Sequence, residues 1–118
     1  MNKTSQFSGF YKLSITERMR LVKEFADLTD DEVGLLQASS ALKLDLADRM
    51  IENVIGTFPV PLGIAVNFLI NGRDYLVPMA IEEPSVVAAA SYAAKMARSN
   101  GGFFTSSTEQ VMIGQIQT

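Results

Sequence analysis

Apolar and polar residues follow one another with two different periods along the chain, and the period changes near Thr57. Before Thr57, apolar side chains recur every three or four residues, as on one face of a helix. After it, two apolar runs flank the dipeptide Asn71-Gly72, which readily adopts the positive φ angles of a tight hairpin turn. The pattern predicts short helices followed by a β-hairpin, and therefore an α+β fold.

Two of the helices are predicted from their first residues. Ser14 with Glu17, and Thr29 with Glu32, have the spacing of a capping box, in which each side chain bonds the backbone N–H of the other residue. The apolar side chains expected to face inward are Leu21, Val22, Phe25, Val33, Leu35 and Leu36.

A third helix is predicted just before the period changes. Leu46, Met50 and Val54 are spaced four residues apart, and Gly56 fits the left-handed position that ends a helix. The two prolines of "FPVPL", residues 58–62, then keep the backbone extended.

The hairpin is predicted over "GIAVNFLINGRDYLVPMAI". Pro78 cannot donate a hydrogen bond to a neighbouring strand, so the second strand is expected to be an edge strand or to be interrupted there. Alternation places four apolar side chains on one face of the first strand: Ile64, Val66, Phe68 and Ile70.

A long alanine-rich helix is predicted after the hairpin. Pro84 is expected at its first position, residues 85–99 have helical composition, and "NGG" can end it. Small residues on nearly every face imply that other elements approach this helix closely on more than one side. A strand-like pattern begins at residues 109–118 and has no closing turn, so we expect the chain to be cut from a longer one.

Composition narrows the possible functions. The chain has 118 residues, 47% hydrophobic and 19% charged, which is typical of one globular domain. A net charge of −3 with scattered basic residues argues against nucleic acid as a partner. Cys and His are both absent, so thiol chemistry and zinc sites built on these residues are excluded. Without an apolar run of about 18 residues, a membrane partner is not predicted, and we expect a soluble, cytoplasmic protein.

Two adjacent carboxylates, Glu82 and Glu83, lie between the second strand and the long helix. Acids at a helix start gain about 0.3–1 kcal/mol each from the helix dipole, which is a purely structural interpretation. Alternatively, one of them faces an apolar interior, where burial would favour the protonated form and allow general acid catalysis. Ser85 can cap the helix, donate to a ligand, or do both. These residues alone leave the alternatives open.

Four motifs in order between residues 52 and 103 narrow the choice: "ENVIG", "NGRD", "VPMAIEEPS" and "AAAS". Together they resemble the N-terminal part of the catalytic domain of 3-hydroxy-3-methylglutaryl-coenzyme A (HMG-CoA) reductase, class II, the bacterial and archaeal type. The resemblance implies an arm and short helices in residues 1–56 and part of the large substrate-binding domain in residues 57–108. It also implies that residues 109–118 start the connection to a nucleotide-binding small domain beyond the chain.

The resemblance further implies an activity and its residues. The family reduces HMG-CoA to mevalonate and coenzyme A with two molecules of NADH or NADPH, or runs the reverse reaction, without a metal. Glu83 corresponds to a catalytic carboxyl that protonates the carbonyl oxygen, and Ser85 to a contact with the hydroxymethylglutaryl group. Lys12, beside Tyr11, is the candidate contact for the coenzyme A phosphates.

Further implications concern assembly. The family's remaining catalytic Lys, Asp and His lie outside these residues, so the chain alone is expected to be inactive. A homodimer or larger homo-oligomer is implied, with its contact at the ENVIG region. Two other functions remain open: a non-catalytic module that binds an acyl-coenzyme A or a carboxylate, and a structural dimerisation segment at residues 50–70.

Overall fold

The computed structural model describes residues 3–38 and 42–116. Within them a 3₁₀ turn and six regular elements follow in this order: Phe10–Lys12, then α1 (Ile15–Ala26), α2 (Asp30–Gln37), α3 (Leu44–Ala47), β1 (Leu62–Ile70), β2 (Arg73–Ala80) and α4 (Val86–Arg98). The α+β prediction is confirmed. None of the helices described here combines the length and the apolar character needed to cross a membrane.

Both predicted capping boxes are present. Ser14 and Glu17 bond each other's backbone N–H at the start of α1, and Thr29 and Glu32 do so at the start of α2. The inward-facing prediction is wrong for two residues of α2, since Leu35 is 63% exposed and Leu36 is 47% exposed. The physical reason is that the packed core lies between β1 and α4, whereas α2 makes no comparably extensive contact with another element within the described residues.

The third predicted helix is much shorter than its apolar spacing suggests. It ends at Ala47, and the chain continues in turns to Met50. Asn53, not Gly56, adopts the left-handed conformation, with φ 58°. A short helix depends on burial of its apolar face. Leu46 and Met50 are both exposed, so this burial is missing. A third helix forms as predicted, but its predicted extent to Gly56 is wrong.

The hairpin forms as predicted. β1 and β2 are antiparallel and are joined at Asn71 and Gly72, whose φ angles are 50° and 76°. Pro78 lies within β2 opposite Ile64, and within the described residues β2 pairs with β1 alone. This confirms the prediction of an edge strand.

A β-bulge changes the faces of β1. Ala65 pairs with Val77, but Phe68 pairs with Tyr75, so β1 has one extra residue between these two pairs. Asn67 lies in this stretch with φ 71°. Since Val77 and Tyr75 share a face of β2, Phe68 shares a face with Ala65. The predicted single face is therefore wrong, because the bulge shifts the alternation by one residue.

Small residues allow α4 to lie close to β1. Ala65 of β1 and Ala94 of α4 are fully buried. A Cβ atom on Gly63 would lie 3.1 Å from Val87 Cγ2, so a larger residue at Gly63 would require the Val87 side chain to shift by a few tenths of an ångström. The other side of α4, including Ala93, is exposed. The prediction of close approach on more than one side is wrong for the described residues.

The ends of α4 differ from each other in how well the sequence predicted them. At the C-terminal end, the Gly102 N–H donates to the Ala97 carbonyl oxygen at 3.0 Å, and Gly101 has φ 93°. This confirms the predicted glycine stop. At the other end, the first residue is Val86, so the prediction of Pro84 at the first helical position is wrong. Ser85 intervenes in a left-handed conformation.

Candidate functional site

An open groove of about 450 Å³ lies beside the start of α4. We call it the α4 groove. Glu83 and Ser85 line it from the segment before α4, Gly63 lines it from β1, and Tyr11 and Arg18 line it from the N-terminal part of the chain. The structure therefore brings two of the three predicted site residues into one groove.

Glu82 and Glu83 are both exposed. β2 ends at Ala80, and the chain bends at Glu82 and Glu83, so neither of them continues the alternation of the strand. The expectation that one of them faces an apolar interior is wrong within the described residues. What distinguishes the two is position, because Glu83 lines the α4 groove and Glu82 is not among its lining residues.

Ser85 has the unusual backbone of the site. Its φ is 71°, and its side chain makes no capping hydrogen bond to α4. A non-glycine residue in this conformation costs on the order of 1 kcal/mol or more, and such residues cluster where a ligand is held. Of the alternatives for this side chain, helix capping is thus not realised, and the hydroxyl remains available at the groove.

Lys12 lies beside the groove and not in it. It ends the 3₁₀ turn, and its Nζ is 5.6 Å from the centre of the Tyr11 ring. Tyr11 lines the α4 groove, whereas Lys12 does not. Lys12 therefore does not line the groove that contains Glu83 and Ser85, but it contacts Tyr11, which does.

Arg18 is a groove residue that the sequence did not single out. Its Nε donates to the Leu13 carbonyl oxygen at 3.0 Å, which fixes the side chain against the turn before α1. In the sequence it is one charged residue among several in an amphipathic helix, and no motif marks it.

A second groove of about 620 Å³, the arm groove, adjoins the first. The two grooves share Phe10, Tyr11 and Ala88. Tyr92 and Lys95 also line the arm groove. These residues of α4 were missed, although their spacing of four and seven residues from Ala88 places them on one helix face.

Two kinds of cofactor are considered for the described residues: a metal ion and a nicotinamide dinucleotide. They contain no group of three His, Cys, Asp or Glu side chains arranged to hold a metal ion. A nicotinamide dinucleotide site is typically a parallel βαβ unit with a glycine-rich turn. The sheet here is an antiparallel hairpin, so these residues do not fit that cofactor on their own.

Comparison with known proteins gives a consistent assignment. The family model for hydroxymethylglutaryl-coenzyme A reductase matches residues 14–118. The chain is 67% identical over 114 residues to 3-hydroxy-3-methylglutaryl-coenzyme A reductase of Archaeoglobus fulgidus, covering 97% of this chain and 26% of the relative. It is 39% identical over 88 residues to a probable reductase of the same name from Borreliella burgdorferi, covering 75% and 20%.

A solved structure gives the same result. The class II 3-hydroxy-3-methylglutaryl-CoA reductase from Streptococcus pneumoniae, bound to NADPH in open conformations, matches with a TM-score of 0.74 at 43% identity. The match covers 82% of this chain and 26% of that one. The chain therefore belongs to the HMG-CoA reductase family, which confirms the resemblance seen in its motifs. It spans between 20% and 26% of the length of the two curated relatives.

Proposed function

We propose that the chain forms part of the substrate site of an enzyme that reduces HMG-CoA to mevalonate and coenzyme A with two molecules of NADH or NADPH, or that runs the reverse reaction. The observation that carries the proposal is that Glu83 and Ser85 line one groove at the start of α4. The division of the chain at residues 56 and 108, and its cytoplasmic location, stay predictions from the sequence.

Glu83 is the proposed proton donor. Its carboxyl group would hydrogen-bond the carbonyl oxygen of the substrate and stabilise the charge that develops there. A carboxyl group keeps its proton near neutral pH only when it is shielded from water. Because Glu83 is exposed here, the proposal requires a cover from residues beyond this chain.

Ser85 and the first turn of α4 are the proposed contacts for the hydroxymethylglutaryl group. The start of α4 presents backbone N–H groups, which attract a carboxylate. The Ser85 hydroxyl makes no capping bond and can donate to the same ligand. Ser85 lines the α4 groove immediately before the helix start, so one ligand could contact both.

The coenzyme A portion is proposed to run from the α4 groove into the arm groove. The two grooves share Tyr11, whose aromatic ring could stack on a flat part of the ligand. Lys95 lines the arm groove, and the Lys12 ammonium lies 5.6 Å from the Tyr11 ring centre. Both cations are suited to phosphate groups.

The nicotinamide cofactor would supply the hydride. Since the described residues do not fit this cofactor, it would be bound by another part of the enzyme. A chain with one of several catalytic groups is expected to be inactive alone, because such groups act as a unit.

Self-association is proposed through the ENVIG region. Ile51, Ile55 and Phe58 are exposed by 66%, 102% and 87%, which is unusual for large apolar side chains so close in sequence. A groove of about 590 Å³ lies beside them, lined by Met50 and Val54 among others. A second subunit would bury this surface.

A graft tests the proposed function. In the Archaeoglobus fulgidus reductase, the matching segment is replaced by this chain to give the grafted reductase. We expect oxidation of NADPH or NADH that depends on HMG-CoA, at a rate within about tenfold of the parent, because 67% of the 114 aligned residues are already identical. A folded graft that binds the cofactor but does not reduce HMG-CoA would contradict the proposal.

A further inference from the structure

Ser5 holds the N-terminal arm, residues 3–9, against the sheet. It is fully buried, with 0% of its surface exposed. Its carbonyl oxygen accepts a 3.0 Å hydrogen bond from the N–H of Asn67, at the bulge of β1. A serine buried in a polar terminal segment needs hydrogen-bond partners, because an unpaired buried N–H or hydroxyl is destabilising.

Asp74 of β2 supplies those partners. Its Oδ1 accepts from the Ser5 N–H at 2.8 Å and lies 2.8 Å from the Ser5 hydroxyl. The same oxygen accepts from the Arg98 guanidinium of α4 at 2.7 Å. The single hydroxyl proton of Ser5 serves either Asp74 or the Phe68 carbonyl oxygen, which lies at 3.0 Å.

This cluster is shielded from water and charged. The side chains of Asp74 and Arg98 are 18% and 16% exposed. Burial alone would raise the pKa of Asp74, but hydrogen bonds from Arg98 and from the N–H and hydroxyl of Ser5, with the charge of Arg98, lower it to about 2. The carboxylate is ionised at neutral pH, so charge-assisted hydrogen bonds join the arm, β2 and α4.

The arm leads directly into the wall of the α4 groove. The Phe7 ring stacks on Phe10 with centres 5.8 Å apart and meets the edge of Phe25 in α1 at 6.3 Å. Gly9, with φ 72°, then turns the chain into the 3₁₀ turn, where Phe10 and Tyr11 line the groove. The position of this wall therefore depends on where the arm is held.

We propose that Asp74 is a positioning residue for HMG-CoA binding, acting through Ser5 to hold the arm and thereby set the wall of the α4 groove. This inference rests on the proposed function of that groove. Asp74 is not among the groove's lining residues, so its proposed influence on the substrate is indirect and runs through the arm.

The arm has a second attachment, which limits the expected effect. The Lys3 ammonium donates to the carbonyl oxygens of Glu24 and Phe25 at 2.9 Å and 3.1 Å, at the end of α1. Loss of the Asp74 contact would therefore loosen the arm without detaching it. The wall would be displaced part of the time, and substrate would bind more weakly while the reacting groups remain in place.

The test measures kcat and KM in the grafted reductase. Asp74→Asn should raise the KM for HMG-CoA about tenfold and change kcat by no more than about twofold, since it removes a contribution to binding and not to the chemical step. The KM for the nicotinamide cofactor should not change. Asp45→Asn, an exposed residue of α3, is the charge-matched control and should leave all three constants unchanged.

Ser5→Ala provides the second variant, because it removes the hydroxyl but keeps the Asp74–Arg98 ion pair. It should raise the KM for HMG-CoA about threefold, and combining it with Asp74→Asn should add little, as expected for residues that act through one contact. If Asp74→Asn does not fold, the KM of the Ser5→Ala variant for HMG-CoA tests the proposal by itself.

The outcomes separate this inference from the one it rests on. An active graft whose KM for HMG-CoA is insensitive to the folded variants would overturn the positioning role and leave the proposed function standing. A fall in kcat with unchanged KM would also overturn it. An unmodified graft that folds and binds the cofactor but does not reduce HMG-CoA would overturn both.

Discussion

The two ends of β2 have carboxylates in opposite environments. Near its start, Asp74 is 18% exposed, and one of its oxygens faces the N–H and hydroxyl of Ser5 and the guanidinium of Arg98. Beyond its end, Glu83 is exposed and lines an open groove. The first carboxylate has its partners inside the chain and serves the architecture. The second is available to a ligand.

The two serines repeat this contrast. Ser5 is fully buried and its polar atoms are paired, whereas Ser85 is exposed, has φ 71° and makes no capping bond. Burial with satisfied hydrogen bonds marks one region as an anchor. Exposure combined with backbone strain, as at Ser85, is typical of a site that is completed when a ligand binds. Substitutions in the anchor region should therefore lower stability and weaken substrate binding, whereas substitution of Glu83 should act on the chemical step.

The largest effect is expected at Glu83. In the grafted reductase, Glu83→Gln should lower the rate of HMG-CoA reduction by about 10²–10⁴-fold, the usual range for removal of a general acid. In the isolated chain the same substitution should leave the midpoint of thermal unfolding unchanged, because the Glu83 side chain is exposed there. Glu82→Gln, one position earlier, is the matched control and should keep nearly full activity. Equal losses in the two variants would remove the distinction between them.

The next effect concerns stability at the other end of β2. Asp74→Asn in the isolated chain should lower the free energy of unfolding by about 2 kcal/mol, since hydrogen bonds to a charged group contribute about that much. Urea unfolding followed by circular dichroism measures it. Glu83→Gln in the same assay should change it by less than about 0.5 kcal/mol. A stable Asp74→Asn chain would mean that the cluster does not anchor the arm.

Acid should weaken the same region. The pKa of Asp74 is lowered from 3.8 to about 2 in the folded chain. Its contribution to stability is therefore complete above about pH 4 and is lost as the pH falls toward 2, a total of about 2 kcal/mol. Between about pH 5 and pH 2, the wild-type chain should lose more stability than Asp74→Asn by that amount. If the free energy of unfolding changed with pH by the same amount in the two chains, the low pKa of Asp74 would be contradicted.

The smallest effect is expected at Ser85. Ser85→Gly should raise the free energy of unfolding by up to about 1 kcal/mol, because glycine adopts the left-handed conformation without strain. Ser85→Ala keeps the strain and loses only the hydroxyl, so it should leave stability unchanged. Both variants should raise the KM for HMG-CoA in the grafted reductase. Stabilisation by Ser85→Ala instead would argue that the strain is not in the backbone.

Local signals explain which parts of the fold were predictable. The capping boxes of Ser14 and Thr29, and the Asn71-Gly72 turn, depend on neighbours within a few residues, so the sequence alone was enough. The third helix is shorter than predicted because its apolar spacing anticipates a partner that the described residues do not provide. The bulge at Asn67 has no sequence signature among the apolar residues of β1.

The candidate site was predictable for a different reason. Glu83 and Ser85 were identified through a motif, and the structure brings them into one groove. Arg18 and Tyr11 come from segments distant in sequence, and only the fold places them there. The expected burial of a carboxylate was wrong because the chain bends after β2, which the alternation of a strand cannot reveal.

The decisive measurement is a crystal structure of the grafted reductase with HMG-CoA. We expect the Glu83 carboxyl group within hydrogen-bond reach, about 2.6–3.2 Å, of the thioester carbonyl oxygen, with the Ser85 hydroxyl on the hydroxymethylglutaryl group. We also expect Glu83, which is exposed in this chain, to be shielded from water in the complex. Substrate bound away from the start of α4, with Glu83 still facing solvent, would contradict both expectations.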